Sequence, residues 1–413
     1  MLDALLLSFG DELALGQIVD TNAAWLAQQL SAHGLLAAEH RCIHDDRAAI
    51  ARAFSEAAGR ARVVVASGGL GPTEDDLTRA ALADALGEEL VEDAAAFEWI
   101  AAYFTGRGKP VPPQNRTQAR RPHSASMLAN ACGTAPGLMA RLGGAQVFVL
   151  PGVPREMRAM FAGEVAPRLP PAQAGAAFIA TGMLHSFGMA ESEMGERLRD
   201  LMARGRNPTV GTNVSGGQCA VRVRAVAADR QTAEQQVAQA LDEAEKKLGK
   251  EFVFGRNGTS LAQAAIFRLQ LEKATLATAE SLTGGGLGAA LTGVPGASDA
   301  YAGGFVTYTD ALKTAILGVP EHLLRRHGAV SEPVACAMAE GALEKTGADY
   351  ALSTTGIAGP GGGSEAIPVG TVWIGLAKRG MPVLAKKFVF LGTREEVRER
   401  AVWAALQMLR NAP

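Results

Sequence analysis

The sequence is poor in several features that would point to particular classes of protein. Aromatic residues make up 5% of the 413 residues, so no stacking surface for single-stranded nucleic acid is indicated. The 40 lysines and arginines are balanced by 42 acidic residues, and the net charge of −2 argues against a strongly basic, phosphate-binding surface. We therefore expect no direct contact with nucleic acid.

Cysteine is also scarce, and the four cysteines lie far apart in the sequence. Because no two of them form a CxxC pair, neither a zinc site nor a redox dithiol is indicated. No apolar run reaches the roughly 18 residues of a membrane-spanning helix. The short apolar run near the N-terminus lacks the preceding basic residues of a signal peptide. We expect a cytoplasmic protein that does not enter membranes.

Strand-like and helix-like segments alternate along the chain, and this pattern predicts an α/β fold with mostly parallel sheets. At roughly 150 residues per domain, the length suggests two or three domains. We place them at 1–170, 171–250 and 251–413, with a small α+β unit in the middle. Strands are predicted at 4–9, 61–66, 146–150, 178–183, 218–227, 275–279, 301–308, 350–354, 370–376 and 384–390. Helices are predicted at 22–33, 77–86, 191–202, 232–248, 260–272 and 394–409.

A serine in the C-terminal third has the surroundings of a nucleophile. Ser281 follows a strand-like run and precedes three glycines, and main-chain N–H groups of such a turn can hold an oxyanion or a phosphate. A serine needs a base, and Lys313 offers one, with Tyr308 five residues before it at a predicted strand–helix junction. Taken alone, Ser281 equally fits a helix N-cap, and Lys313 fits a solvated surface lysine.

A second glycine-rich loop, 356–363, follows a predicted strand and should lie at the carboxyl edge of a parallel sheet, where ligands bind. Alone it fits a hairpin or a lid equally well.

Five sequence blocks in this region resemble the nicotinamide mononucleotide deamidase family, which includes the C-terminal part of CinA proteins. The resemblance covers about residues 255–410, and its blocks are AESLTGGGLGAALTGVPGAS, GGFVTYTDALKTAILGV, HGAVSEPVACAMAEGAL, TTGIAGPGGGSEAIPVGTVWIGLA and FLGTREEVRERAV. It implies that Ser281 attacks the carboxamide, that Lys313 takes the proton and later delivers it, and that Tyr308 either positions Lys313 or relays the proton. It implies no metal or other cofactor for this reaction.

The same resemblance suggests which residues contact the substrate. The N–H groups around Thr283, Gly284 and Gly285 would stabilise the oxyanion, a contribution of about 3 kcal/mol for each donor. The ribose phosphate would be held by residues of the second glycine-rich loop and of the last helix, namely Thr355, Gly356, Arg394 and Arg398. The two arginines are four apart and share a helix face, although an exposed basic face would have the same spacing.

The N-terminal segment SGGLGPTEDDLT follows a buried strand and is typical of a phosphate loop with nearby carboxylates. With GDE, HDD, GTAPG and LPGVPREM it resembles the MoaB/MogA type of molybdopterin-binding domain, a three-layer α/β fold that CinA proteins contain. The resemblance implies a nucleotide site with a phosphate turn and two acids, Gly68, Gly69, Gly71, Asp45 and Asp76. It also implies a metal-dependent ADP-ribose pyrophosphatase, with a divalent cation held by Asp11, Asp75 and Asp76. A plain helix N-cap cluster and molybdopterin chemistry stay open as alternatives.

The middle segment HSFGMAESEMGERL resembles the KH-type module of CinA proteins. As a whole, the sequence predicts a homodimeric enzyme of pyridine nucleotide salvage that acts on nicotinamide mononucleotide and ADP-ribose. The alternative from another class is an interaction protein of competence or DNA repair that meets a recombinase.

Overall fold

The structure, a computed structural model, describes residues 2–173, 177–215 and 218–412. The chain divides into two compact units. One unit comprises Met1–Ala180 and Ala225–Gln235, and the other comprises Thr181–Arg224 and Gln236–Pro413. In the part of the chain that is described, no helix is long and apolar enough to cross a bilayer.

The first unit contains a six-stranded sheet and a separate two-stranded one. The strands are β1 (Leu2–Phe9), β2 (Ala37–Ile43), β3 (Ala61–Ser67), β4 (Leu90–Glu92), β5 (Arg120–Pro122), β6 (Ser126–Leu128), β7 (Gly137–Leu142) and β8 (Ala145–Leu150). The α-helices are α1 (Asp11–Ala14), α2 (Thr21–Ala32), α3 (Arg47–Arg60), α4 (Thr78–Leu86), α5 (Ala94–Thr105) and α6 (Pro154–Met160).

The large sheet has the strand order β2-β1-β3-β8-β7-β6; the first four strands are parallel, and β7 pairs antiparallel with both β8 and β6. Helices α3 and α4 pack on one face, and α2 and α6 pack on the other. Because both faces are covered, the central strands are continuous apolar runs such as Ala61–Ser67. The predicted three-layer α/β fold is confirmed.

Aspartates set the starts of three helices in this unit. Asp20, Asp46 and Asp93 accept hydrogen bonds from the N–H groups three residues later, at 2.8, 2.6 and 3.0 Å. These are ordinary N-caps. In the pair Asp45-Asp46, the cap by Asp46 leaves the Asp45 side chain to face a cavity.

The middle part of the chain forms a smaller sheet with the order β10-β11-β9-β12. Its elements are β9 (Phe178–Ser186), α7 (Glu191–Arg197), β10 (Thr209–Ser215), β11 (Gln218–Ala227), α8 (Arg230–Leu248) and β12 (Val253–Arg256). The strand at 218–227 has its predicted bounds, whereas the helix predicted for 191–202 ends at Arg197.

The C-terminal part is a second α/β layer structure. Its elements are α9 (Leu261–Glu272), β13 (Leu276–Glu280), α10 (Gly286–Thr292), β14 (Tyr301–Val306), α11 (Asp310–Leu317), α12 (Glu321–His327), α13 (Glu332–Thr346), β15 (Tyr350–Gly356), β16 (Thr371–Lys378), β17 (Leu384–Val389) and α14 (Arg394–Arg410). The strand order is β14-β13-β15-β16-β17, with the first three parallel. Helix α13 packs on one face, and α9 and α14 pack on the other.

Candidate functional site

The carboxyl ends of three parallel strands bring the predicted C-terminal residues to one edge. Ser281 follows β13, and its N–H donates to the carbonyl of Thr354 in β15 at 2.9 Å. On the other side, the N–H of Thr307, which follows β14, donates to the Glu280 carbonyl at 2.8 Å. Ser281 is 8% exposed, and within the described residues its hydroxyl makes no hydrogen bond. The edge therefore presents a nearly buried hydroxyl that no neighbouring protein group engages.

Lys313 is buried, with 1% of its surface exposed, which excludes the alternative of a solvated surface lysine. It lies on α11, whose first turn is capped by Thr309. Its Nζ donates to the Tyr308 carbonyl and to Asp310 Oδ1, both at 3.4 Å. It makes no direct hydrogen bond to Ser281. These two bonds are long, and a third donor position of the amine stays open for a substrate or a water molecule.

Two arginines of α14 reach this edge. Arg394 donates to the Tyr308 hydroxyl at 3.0 Å and to the Gly359 carbonyl at 2.7 Å. Arg398 donates to the carbonyls of Leu282 and Thr283 at 3.1 and 2.9 Å. In the described part of the chain neither guanidinium forms an ion pair with a carboxylate. The two positive charges are therefore available for a substrate anion.

Glu280 occupies the place where the glycine turn was expected to receive substrate. Its carboxylate is 2% exposed and accepts from the N–H groups of Gly285, Leu287 and Gly288 at 3.0, 3.0 and 2.8 Å. The N–H of Gly284 donates to the Ser281 carbonyl at 3.1 Å. This corrects the expectation for Gly284 and Gly285, because both N–H groups are already engaged.

The N–H groups of Leu282 and Thr283 replace them as candidate oxyanion donors. Neither has a hydrogen-bond acceptor among the residues that the structure describes. Arg398 holds the carbonyls of the same two residues. Because the C=O of Leu282 and the N–H of Thr283 belong to one planar peptide, fixing the carbonyl directs the Thr283 N–H to the opposite side.

Thr355 and Gly356 are placed differently from the expectation that they hold the ribose phosphate. The Thr355 hydroxyl donates to the Ala329 carbonyl at 2.8 Å, so its proton is used within the protein. Gly356 pairs with Val372 between β15 and β16, and a Cβ there would lie 2.6 Å from the Thr371 carbonyl oxygen. Thr283 bonds through its hydroxyl to Thr354 at 2.7 Å. These residues shape the strand edge, and of the predicted phosphate contacts Arg394 and Arg398 remain as candidates.

Sequence reasoning missed Glu280 and Thr307. A carboxylate directly before a glycine-rich helix start is a signal that could have identified Glu280 as a partner of those N–H groups. The Thr307 hydroxyl is buried and has no hydrogen-bond partner in the described chain, and no sequence signal marked it.

The first unit contains a cavity of about 510 Å³ that holds most of the predicted nucleotide residues. Gly68, Gly69 and Gly71 line it, together with Asp45, Asp75 and Asp76. Gly68 and Gly69 have φ angles of 112° and 63°, and a Cβ on Gly69 would lie 2.2 Å from the Thr78 hydroxyl. Positive φ values of this kind suit glycine, and no side chain fits at Gly69.

Two acids predicted to be metal ligands are used within the protein. Asp76 accepts from the N–H groups of Gly71 and Thr73 at 2.6 and 2.9 Å, and from the Thr73 hydroxyl. These bonds stabilise the loop 71–76 and occupy the carboxylate. Asp11 does not line the cavity; its carboxylate accepts from the Asp45 N–H at 3.1 Å.

The predicted trio of Asp11, Asp75 and Asp76 is therefore not assembled as a metal site. Across the described residues, no group of three or more His, Cys, Asp or Glu side chains could hold a metal ion.

The wall of this cavity is nevertheless strongly acidic. Burial raises the pKa of Asp45, and the negative charges of Asp11, Glu12 and Asp75 raise it further, whereas the N–H of Asp11 lowers it. The carboxylates that line the cavity are Glu12, Asp20, Asp45, Asp75, Asp76 and Glu156. No arginine, lysine or histidine is among the lining residues. An anion that enters must therefore be accompanied by a cation or be held by main-chain N–H groups.

Comparison with known protein families divides the chain into three segments. Residues 5–171 match the family described as a probable molybdopterin binding domain. Residues 181–255 match the KH domain of the damage-inducible protein CinA, and residues 258–412 match the CinA C-terminal domain.

Whole-length relatives were also found. A CinA-like protein of Parasynechococcus marenigrum is 40% identical over 98% of this chain and 97% of its own length. A CinA-like protein of Frankia casuarinae is 42% identical over 98% of this chain and 95% of its own length. Among solved structures, the competence/damage inducible protein CihA of Agrobacterium tumefaciens is 42% identical, with a TM-score of 0.36. That match covers 36% of this chain and 91% of the other.

Proposed function

The chain belongs to the CinA family, and on that premise we propose that its C-terminal part hydrolyses the carboxamide of nicotinamide mononucleotide. The products are nicotinic acid mononucleotide and ammonia. The observation that carries this proposal is that Ser281 follows β13, and Lys313 and Tyr308 follow β14, at the same carboxyl edge of the parallel strands, with Lys313 buried. A serine hydroxyl with an amine as its base supplies the nucleophile and the proton acceptor that amide hydrolysis without a metal requires.

In the proposed reaction, Ser281 Oγ forms a bond to the carboxamide carbon while its proton passes to the amine of Lys313. The carbonyl oxygen becomes an oxyanion, and the free N–H groups of Leu282 and Thr283 are its donors. Collapse breaks the C–N bond, and Lys313 delivers the proton to the leaving nitrogen, which departs as ammonia. Water then hydrolyses the ester and restores Ser281.

Arg394 and Arg398 supply the charge for the mononucleotide phosphate. Both lie at the start of α14, and neither is neutralised by a carboxylate in the described structure. Arg394 also bonds to the Tyr308 hydroxyl, so a phosphate on Arg394 would lie next to the residue that contacts Lys313. This arrangement favours a nucleotide over a free nicotinamide.

The test is ammonia release by the purified full chain from nicotinamide mononucleotide, nicotinamide riboside and nicotinamide. We expect turnover of the mononucleotide and a much higher KM for the riboside. Equal turnover of all three substrates would contradict a site built around a phosphate, and no turnover of any would refute the amidase.

We propose a second activity for the N-terminal cavity, the binding of ADP-ribose and hydrolysis of its pyrophosphate. The observation that favours it is the glycine loop that lines a cavity of about 510 Å³, where the N–H groups of Gly69 and Leu70 have no acceptor within the described residues. Because the wall carries carboxylates and no cationic side chain, the substrate form would be a complex of the pyrophosphate with a divalent cation. The test is release of AMP from ADP-ribose with and without Mg²⁺. Binding of molybdopterin instead would favour the alternative chemistry, and binding of neither would leave a role as an interaction module.

A further inference from the structure

The glycine loop of the N-terminal cavity is held from behind by α4. The Thr78 hydroxyl donates to the Gly68 carbonyl at 3.0 Å, and the Thr78 N–H donates to the Gly69 carbonyl at 3.3 Å. One residue at the start of the helix thereby fixes the direction of two successive carbonyls. Thr78 is fully buried, so neither bond competes with water.

Arg79 continues this arrangement over the next two residues. Its guanidinium donates through Nη2 to the Leu70 carbonyl and through Nη1 to the Gly71 carbonyl at 3.1 Å. Gln118 adds a bond to the Leu70 carbonyl at 3.3 Å. All four carbonyls from Gly68 to Gly71 therefore point away from the cavity towards α4 and its neighbours.

The direction of the carbonyls determines the direction of the N–H groups. In a planar trans peptide the C=O of one residue and the N–H of the next point in opposite directions. The peptide between Leu70 and Gly71 follows this rule. Its carbonyl accepts from Arg79, and its N–H, on the opposite side, donates to Asp76 at 2.6 Å. The N–H groups of Gly69 and Leu70 have no acceptor within the described residues, and they are the two free donors of the loop.

Arg79 is an unusual residue for such a position. It is 5% exposed, its Nε has no hydrogen-bond partner, and in the described structure it forms no ion pair with a carboxylate. Burial lowers its pKa to about 10, against an opposing effect of Asp76, so the side chain stays charged at neutral pH. A buried cation without a paired anion is costly. Its charge lies at the carbonyls of Leu70 and Gly71, in the same loop as the two free N–H groups.

We propose that Arg79 is a positioning residue of the N-terminal anion site. It holds the Leu70 and Gly71 carbonyls and thereby fixes the second half of the loop, in which the N–H groups of Gly69 and Leu70, directed by Thr78, would meet a bound phosphate. The inference rests on the proposed binding of a nucleotide pyrophosphate in this cavity. Arg79 does not line that cavity and does not touch the ligand. It lines a second cavity of about 310 Å³ on the other side of the loop.

The second cavity makes a chemical rescue experiment feasible. In Arg79→Ala, guanidinium ion can enter the vacated space from that side and replace the lost donors. We expect Arg79→Ala to raise the KM for Mg²⁺–ADP-ribose by at least about tenfold, as expected for loss of a charge-assisted hydrogen bond. Millimolar guanidinium should then lower the KM again, and Arg79→Lys should lie in between. Arg60→Ala, which removes an exposed arginine paired with Glu39, is the matched control.

Two further measurements separate the outcomes. Thermal unfolding of the same full-length variants shows whether the first unit is folded, and ammonia release from nicotinamide mononucleotide should be unchanged. If Arg79→Ala fails to fold, Arg79→Lys alone carries the test. Arg79 variants that lose thermal stability but keep the wild-type KM would overturn the proposal, as would a KM that guanidinium does not restore.

The wild-type chain separates this inference from the proposed function. If wild type binds Mg²⁺–pyrophosphate but not ADP-ribose, the nucleotide assignment fails, and the Arg79 variants are compared by their affinity for Mg²⁺–pyrophosphate. If wild type binds neither, no anion site exists at the loop and both claims fail.

Discussion

Arg394 and Tyr308, which are 86 residues apart in the sequence, are joined by a hydrogen bond of 3.0 Å from the guanidinium to the phenol. The Tyr308 carbonyl in turn accepts from Lys313 at 3.4 Å. Arg394 also reaches Gly359 in the glycine-rich loop. One side chain therefore connects the last helix, the loop and the strand–helix junction that carries the proposed base.

This connection predicts a substrate-dependent effect of Arg394→Ala. The variant loses the charge that we assign to the phosphate, so the KM for nicotinamide mononucleotide should rise about tenfold or more. The KM for nicotinamide riboside, which has no phosphate, should change little. Steady-state ammonia assays measure both, with Arg326→Ala on α12 as the control. An equal rise for both substrates would show that Arg394 acts only through the protein.

Lys313→Met should abolish amide hydrolysis without unfolding the chain. Removal of a general base typically costs 10²- to 10⁴-fold in rate. Because the Lys313 side chain is buried and its bonds to Asp310 and Tyr308 are long, methionine should be tolerated with little change in thermal stability. Single-turnover ammonia release tests the loss of hydrolysis, and circular dichroism during heating tests the retained stability. Lys345→Met, at an exposed lysine, is the control. Retention of more than about a tenth of the rate would remove Lys313 from the mechanism.

Glu280→Gln should lower kcat while leaving the KM for nicotinamide mononucleotide nearly unchanged. Glutamine has one acceptor oxygen for three N–H groups and brings two N–H donors towards them, so the turn that carries Ser281 should lose its fixed geometry. We expect a loss of about 2–3 kcal/mol in stability, since bonds to a charged acceptor are replaced. Urea unfolding and steady-state kinetics measure the two effects. A raised KM with normal kcat would mean that Glu280 acts on substrate binding instead.

A pH-dependent contribution to stability is expected in the first unit. The Arg121 guanidinium, 2.8 Å from Asp93, and the Ala96 N–H hold the pKa of Asp93 below its usual range. A carboxyl with a lowered folded pKa stabilises the protein above its unfolded pKa of about 3.9, and this stabilisation is lost as the pH falls through the lower folded value. Asp93→Asn keeps the cap acceptor and removes the charge. It should cost about 1 kcal/mol at pH 7 and less below about pH 4. Urea unfolding measures the difference in unfolding free energy between wild type and Asp93→Asn. A difference that stays constant from pH 7 to below about pH 4 would contradict a stabilising charge on Asp93.

Much of the fold could be predicted from the sequence because its central strands are buried on both faces. The apolar run at 61–66 and the alternating run at 218–227 were found close to their observed bounds. The edge strand β2 was missed because its residues, AAEHRCI, mix charged and apolar side chains at a half-exposed edge. Helix α3 was also missed, although Ile50, Ala53, Phe54 and Ala57 have helical spacing and are buried.

The candidate sites were predictable as sets of residues but not as contacts. The position of Ser281 could be predicted because it directly follows a predicted strand, and parallel strands end at a common edge of the sheet. The bonds of Arg398 to carbonyls 115 and 116 residues away depend on how α14 packs, and no local pattern encodes that. Asp76 was misassigned because a carboxylate beside a glycine turn suggests a metal as much as a loop closure, and only the geometry shows that its own loop satisfies it.

The most direct test of the account compares ammonia release from nicotinamide mononucleotide by the full chain, by Ser281→Ala and by the control Ser55→Ala, whose hydroxyl lies on the exposed side of α3. The account predicts turnover by the wild type and by Ser55→Ala, and none by a folded Ser281→Ala. Turnover by Ser281→Ala at the wild-type rate, or release of nicotinamide instead of ammonia, would contradict it.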